Sequence, residues 1–347
     1  MNTKYFIIAA ATFLSFAACS SDEQQLDVVS AQQYEIRLAN NLTQLTADVT
    51  RASGSYTNGF LTGAEFYAWV DMIDEGESNP LFQTKEFVKA WHLTVNATDN
   101  SVFDTETTQH FPVYNKVSFY AFHGNFSETI TPDATTFPGL LTHRVQTAQT
   151  GDDDYLSSDL VYAAETEVQP QAAAITLPFQ HMLSKIEVAL MAGNQMSDAQ
   201  IKEVTSTKVT VSIIGTKTQV EFRPSKSADP TTLAGRNAML TVVDNSVQTI
   251  TLSTVTTADF SAATCAAAIV VPQTVDGQFI KLSYMGHDTY YSVDNLELLS
   301  GYRYRFNFVV DRIGETFVVT PSLTVTPWGA EEVVNADLNT LISTSSL

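Results

Sequence analysis

Between positions 302 and 310 the chain alternates: Tyr302, Tyr304, Phe306 and Phe308 are aromatic, with Arg303, Arg305 and Asn307 standing between them. A period of two sends the aromatic set to one side of an extended strand and the polar set to the other, which marks a sheet with one buried face. Comparable short segments recur at 64–70, 117–122, 185–190, 209–214, 247–252, 267–271 and 279–284, separated by clusters of Asn, Asp, Gly and Pro. No long stretch carries a helical period, and many short strands between turn signals are the pattern of β-sandwiches. Composition points the same way. The 347 residues include 44 Thr and 32 Val, both β-branched and better suited to pleated strands than to helices. One short helix is expected near 198–203. The reading is all-β, with a length that suits about two domains.

Charge and cysteine usage remove whole classes of function. With 38 Asp and Glu against 18 Lys and Arg, the net charge is −20, which repels phosphate backbones, so no nucleic-acid partner is expected. Two cysteines, Cys19 and Cys265, cannot build a disulfide scaffold or a zinc module; Cys265 sits in an Ala-rich apolar run and reads as a small buried hydrophobe. The histidines at 92, 110, 123, 143, 181 and 287 have no metal-motif spacing. His181 reads as a packed, hydrogen-bonded residue. Asp152, Asp153 and Asp154 lack the spacing and closing Glu of a calcium loop and read as a solvated acidic turn. No nucleophile elbow and no phosphate loop occurs. Nothing selects a carboxylate pair for glycoside hydrolysis. No catalytic residue, metal or cofactor is assigned, and the chain is not expected to be an enzyme.

The first eighteen residues read as an export signal: Lys4, a short apolar run, then the small residues Ala17 and Ala18. The run is too short to span a bilayer. Ala17-Ala18-Cys19 resembles the lipobox of bacterial lipoproteins, in which the cysteine becomes the acylated N-terminus. Ser20-Ser21-Asp22-Glu23 resembles the acidic segment that sends Bacteroidetes lipoproteins to the cell surface.

Further motifs follow in order: Thr50-Arg51-Ala52; Asp159-Leu-Val-Tyr-Ala163; Leu177-x-Phe-x-His-x-Leu-Ser-Lys-Ile-x-Val188; Leu299-Ser-Gly-x-Tyr-x-Phe306; and Val325-Thr-Pro-Trp328. Their order and spacing resemble the fimbrillin lipoproteins of Bacteroidetes, from Cys19 to Trp328. The resemblance implies two tandem transthyretin-like β-sandwich domains and secretion as a lipid-anchored outer-membrane protein. It implies trimming between Arg51 and Ala52 by an Arg-specific, trypsin-like outer-membrane protease. It also implies polymerisation with other pilin subunits, in a homo- or hetero-polymer, by strand exchange. The mature form would stand in the fimbrium and support adhesion to a host or bacterial surface ligand. The corresponding division is a signal peptide at 1–18, a propeptide with a removable strand at 19–51, sandwiches at 52–171 and 172–328, and a tail at 329–347. The boundary falls in a polar stretch that carries Pro170.

A removable strand has a physical meaning. In the propeptide, Tyr34, Ile36 and Leu38 share one face of an extended segment. If that segment completes the first core, its loss leaves an apolar groove and an unpaired edge, which templates another strand. In the tail, Val334, Ala336, Leu338 and Ile342 make a donor face, although Thr340 interrupts it, and a register through 333, 341 and 342 is also open. Four or five buried apolar side chains would contribute about 6–15 kcal/mol before ordering costs. The other reading of the tail is a last strand with a frayed end, which suits a tip subunit that accepts a strand and donates none. A second alternative is a surface glycan-binding lipoprotein, for which Trp69, Trp91 and Trp328 are the candidate platform residues.

Overall fold

A computed structural model of the chain describes residues 33–41, 50–51, 54–55, 60, 62–73, 84–131, 134, 136–193, 197, 209–255, 261–284, 287–313 and 316–328. All belong to the compact unit that begins at Gln33. In chain order the strands are β1 (Leu38–Asn40), β2 (Thr50–Arg51), β3 (Gly54–Ser55), β4 (Glu65–Ile73), β5 (Thr84–Val95), β6 (Phe103–Thr105), β7 (Val117–His123), β8 (Leu141–Arg144), β9 (Ala148–Gln149), β10 (Val161–Val168), β11 (Ile175–Leu177), β12 (Gln180–His181), β13 (Ser184–Ala192), β14 (Val209–Lys217), β15 (Gln219–Phe222), β16 (Leu240–Val242), β17 (Val247–Val255), β18 (Ser261–Val270), β19 (Gln273–Tyr284), β20 (His287–Leu298), β21 (Tyr302–Ile313) and β22 (Thr316–Pro327). The helices among the described residues are short, α1 (Asp152–Ser157) and α2 (Leu233–Ala238). The fold is all-β.

The larger sheets run β12-β10-β7-β4-β5-β6, β20-β19-β14-β17-β9, β18-β13-β21-β22 and β16-β15-β8. Two buried clusters lie among them. One gathers Ile36, Leu38, Phe66, Trp91, Phe119, Ile175 and Phe179. The other joins Ile186, Val188, Phe306 and Phe308 with Val211, Ile213 and Ile280. The six-stranded sheet supplies both: Phe66 and Phe119 go to the first cluster, Trp69, Phe122 and Tyr162 to the second. A strand covered on both faces has no polar side to show, which is why β7 reads as the near-continuous apolar run VSFYAFH.

Most expected strands appear within a few residues of their predicted limits. In β21 the alternation points Tyr304, Phe306 and Phe308 into the core. Two local departures have clear causes. Asp152, Asp153 and Asp154 open α1 rather than a plain turn, since negative charge near a helix start suits its dipole. In β13, Ile186, Val188 and Leu190 face inward as expected, but the alternating Lys185 and Glu187 are buried too. Burial opposes the charge of Glu187, yet Lys185 at 2.9 Å, with Arg303 and Arg305 beyond, holds its carboxyl below the usual carboxylate range. The expected helix at 198–203, Cys19, Ala52, the tail from 329 and the side chains of Arg51 and Cys265 lie outside the described residues.

Candidate functional site

Residues 33–41, which include β1 (Leu38–Asn40), line the first core. Ile36 and Leu38 are each 3% exposed, and Tyr34 packs against the same cluster. Arg37, between them, points outward and donates to the Ala172 carbonyl at 2.5 Å. Both edges of the segment are paired. On one side Ile36 N–H donates to Gln109 O, Phe111 N–H to Tyr34 O, and Asn40 N–H to Ser101 O, each at 2.8 Å. On the other, β1 runs parallel to β11, Leu38 opposite Ile175, and Ile175 N–H donates to Arg37 O at 2.8 Å. Asn40 is buried as well, and its amide donates to Asn100 O at 2.9 Å. Each backbone bond contributes about 1 kcal/mol net and each buried aliphatic about 1.5–3 kcal/mol. Every one of these partners lies at least sixty residues further along the sequence, so the strand is held by the tertiary structure alone.

Arg51 closes β2, which pairs with β3 in a tight hairpin, Arg51 opposite Gly54. β2 lies against β18, the outermost strand of the four-stranded sheet. The residues singled out for processing, lipidation and strand donation are thus not brought together among the described residues: Arg51 alone is placed, through its backbone. Cys19, Ala52, Val334, Ala336, Leu338 and Ile342 lie outside them.

The motif residues from 159 to 328 do converge, at a buried polar joint. His181 Nδ1 lies 2.7 Å from Asp159 Oδ2, with both side chains buried. The Trp328 ring stacks flat on His181, centroids 3.7 Å apart, and Lys185 Nζ stands 5.7 Å over the same tryptophan. Trp328 N–H donates to Gly301 O and Gly301 N–H to Leu183 O, both at 2.8 Å. Gly301 has φ +73°, and a Cβ there would come within 2.9 Å of the Arg236 guanidinium, so a side chain is strained on both grounds. Arg236 itself donates to the Ser300 carbonyl through Nη2 at 3.0 Å. Tyr304 completes the turn, its hydroxyl accepting from Leu299 N–H and donating to Glu297 O, both at 2.7 Å. Burial raises its pKa, so the hydroxyl keeps its proton.

Sequence spacing gave no hint that three of the six histidines meet here. His143 is wholly buried, its Nε2–H donating to Ser158 O at 3.0 Å while Nδ1 accepts from Asn125 N–H at 3.0 Å. Burial pushes its pKa down to about 4. His123 stacks on Phe66 at 4.8 Å and is likewise pushed down by burial. Both feel the charge of Asp159. His123 also lines a small cleft of ≈ 210 Å³ with Glu65, Tyr67, Gly124 and Phe126. Among the described residues no cluster of three or more His, Cys, Asp or Glu could hold a metal ion, and no helix is long and apolar enough to cross a membrane. The joint ties together β12, β13, β21 and β22 through His181, Lys185, Gly301 and Trp328. Buried histidines that bond through both nitrogens or stack on aromatics serve packing.

The chain belongs to the Fimbrillin-like family, whose profile matches residues 50–328. No curated protein sequence matches it significantly. Its fold is similar to that of a Bacteroides uniformis protein assigned to cell adhesion, with TM-score 0.53 and 18% identity over 85% of this chain and 99% of that one. A Bacteroides ovatus protein with the same assignment gives TM-score 0.55 and 12% identity, covering 87% and 99%. At such identities the likeness speaks for the fold.

Proposed function

We propose that this protein is a structural subunit of a cell-surface pilus that supports adhesion and is assembled by loss of its first strand. It is exported through residues 1–18 and anchored to the outer membrane by an acylated Cys19. Its body comprises two tandem transthyretin-like sandwiches, 52–171 and 172–328. An Arg-specific outer-membrane protease cuts between Arg51 and Ala52. The segment at 33–41 leaves with the propeptide, and the tail of another pilin subunit, through Val334, Ala336, Leu338 and Ile342, takes its place. The mature form stands in the fimbrium. The role is structural rather than enzymatic.

The observation that carries this reading is the seat of residues 33–41. Removing them would expose the apolar ring around Ile36 and Leu38 and unpair the Gln109 and Ser101 carbonyls together with the Phe111 and Ile175 N–H groups. A buried groove with two unpaired edges recovers its stability only by accepting a strand. The alternative of a flat glycan platform gains no support from the tryptophans: Trp69 and Trp91 lie in the cores and Trp328 is stacked on His181. Limited trypsinolysis of the purified chain tests the reading. One preferred cut after Arg51 followed by SDS-resistant ladders is expected, and Arg51→Ala abolishes both. Cut protein that stays monomeric would overturn the polymer and leave a tip subunit or a binding module. Metabolic labelling with a fatty acid is expected to mark the chain and to be lost in Cys19→Ala.

A further inference from the structure

Asp71 lies in β4 directly opposite Glu86 of β5, and on its other side opposite Ser118 of β7. Its side chain is 4% exposed. Like charges that face each other across a strand pair repel, and a buried carboxylate demands a partner. Both needs are met from 155 residues further along the chain. Lys226 Nζ lies 2.7 Å from Asp71 Oδ1 and 3.4 Å from Glu86 Oε1. The other Glu86 oxygen, Oε2, is 3.3 Å from Lys89 Nζ. Aromatic rings close over the amine, with the Phe137 centroid at 4.9 Å and that of Tyr120 at 5.6 Å. The loop that carries Lys226 is anchored to the same sheet, since the buried Tyr162 of β10 donates its hydroxyl to Ser225 O at 2.9 Å.

An amine held against a carboxyl, with a second carboxyl in reach of the amine and the first one out of water, is an arrangement that condenses to an amide. Fixed positions replace the encounter of the reactants. Poor solvation of a buried ion pair favours passing a proton from the amine to the carboxyl. We propose that Lys226 and Asp71 join in an intramolecular isopeptide bond, with Glu86 as the proton carrier. The ammonium gives one proton to Asp71, and the neutral Nζ attacks the carboxyl carbon Cγ. Glu86 Oε1 takes a second proton from the nitrogen and delivers it to the departing hydroxyl. The Nζ–Cγ bond forms, a Cγ–O bond breaks and one water leaves. The third proton stays on the amide nitrogen, and Glu86 ends as the carboxylate it began as. The step needs no oxidant and no cofactor. Both joined residues follow Arg51, so the bond is independent of cleavage there and stays in a trimmed chain. It closes the chain between 71 and 226 into a covalent loop, which a pull on the ends cannot extend and which restricts the unfolded state.

Mass spectrometry of the purified full chain, digested with trypsin in denaturant, reads the bond directly. The fragment holding Asp71 is expected joined to the fragment holding Lys226, uncut after Lys226 and lighter than the two together by one water. Separate fragments at their sequence masses overturn the proposal. In Glu86→Gln, which keeps the size of the side chain, the joined fraction is expected to fall at least about ten-fold; an unchanged fraction overturns Glu86 as the proton carrier. Lys226→Arg keeps the positive charge and an ion pair with Asp71 but not the amide. Wild type boiled in SDS is expected to run ahead of this variant, as a looped chain does, and equal mobility overturns the bond, since an ion pair alone would leave the two alike. Should the variants fail to fold, the wild-type fragment map decides alone.

Discussion

Single residues at the joint explain a pH dependence that composition hides. His143 is neutral in the fold, with Nδ1 accepting and Nε2 donating, and its pKa is about 4. A free histidine titrates near 6.5. As pH falls below 6.5 the unfolded chain binds a proton that the folded chain refuses, so the contribution of this group is full above 6.5 and is lost between 6.5 and 4. Between pH 7 and pH 5 wild type is expected to lose about 2 kcal/mol more than His143→Gln in urea titrations. Equal losses would show that the proton goes elsewhere. At the turn before β21, Gly301→Ala should cost about 1–3 kcal/mol, from the positive φ and the crowding of Arg236, read as a lower denaturation midpoint with an unchanged slope. The aromatic and glycine positions of this joint could be picked out of the sequence. The meeting of His123, His143 and His181 around Asp159 could not, because it joins residues from four separate segments.

At the scale of elements, the first strand is the part on which the proposed assembly turns. Leu38→Ala is expected to destabilise the uncut chain by about 2–5 kcal/mol through a cavity in the first core, and not to change the stability of protein already trimmed at Arg51. Loss of equal size in both forms would mean that the strand does not leave. Alternation at 34, 36 and 38 was legible because a half-buried strand has a period of two whatever it pairs with. Its partners were not. Local spacing says nothing of Gln109, Ser101 or Ile175, and a parallel partner such as β11 lies a long crossover away. The same holds for β8 and β9. Two short segments at 141–149 pair with β15 and β17, far on in the chain, and are too brief to carry a pattern of their own.

For the whole molecule, the tail and the body are separable in the pilus reading. A chain ending at Trp328 keeps the stack on His181 and the bond to Gly301 O. It is expected to fold with wild-type stability, to be cut after Arg51 and to form no ladder with itself. It should still accept a strand from intact subunits and so cap their growth. Ladders formed by the truncated chain alone would remove the tail as donor. Alternating side chains and abundant Thr and Val determined from the sequence alone that this is an all-β protein, because pleating and β-branching act residue by residue. Which strands meet was left to the tertiary structure. Pairing of edges, burial of both faces of β4 and β7, and the meeting of Lys226 with Asp71 depend on contacts between distant segments, and hydrogen-bonding groups of the backbone are the same at every residue.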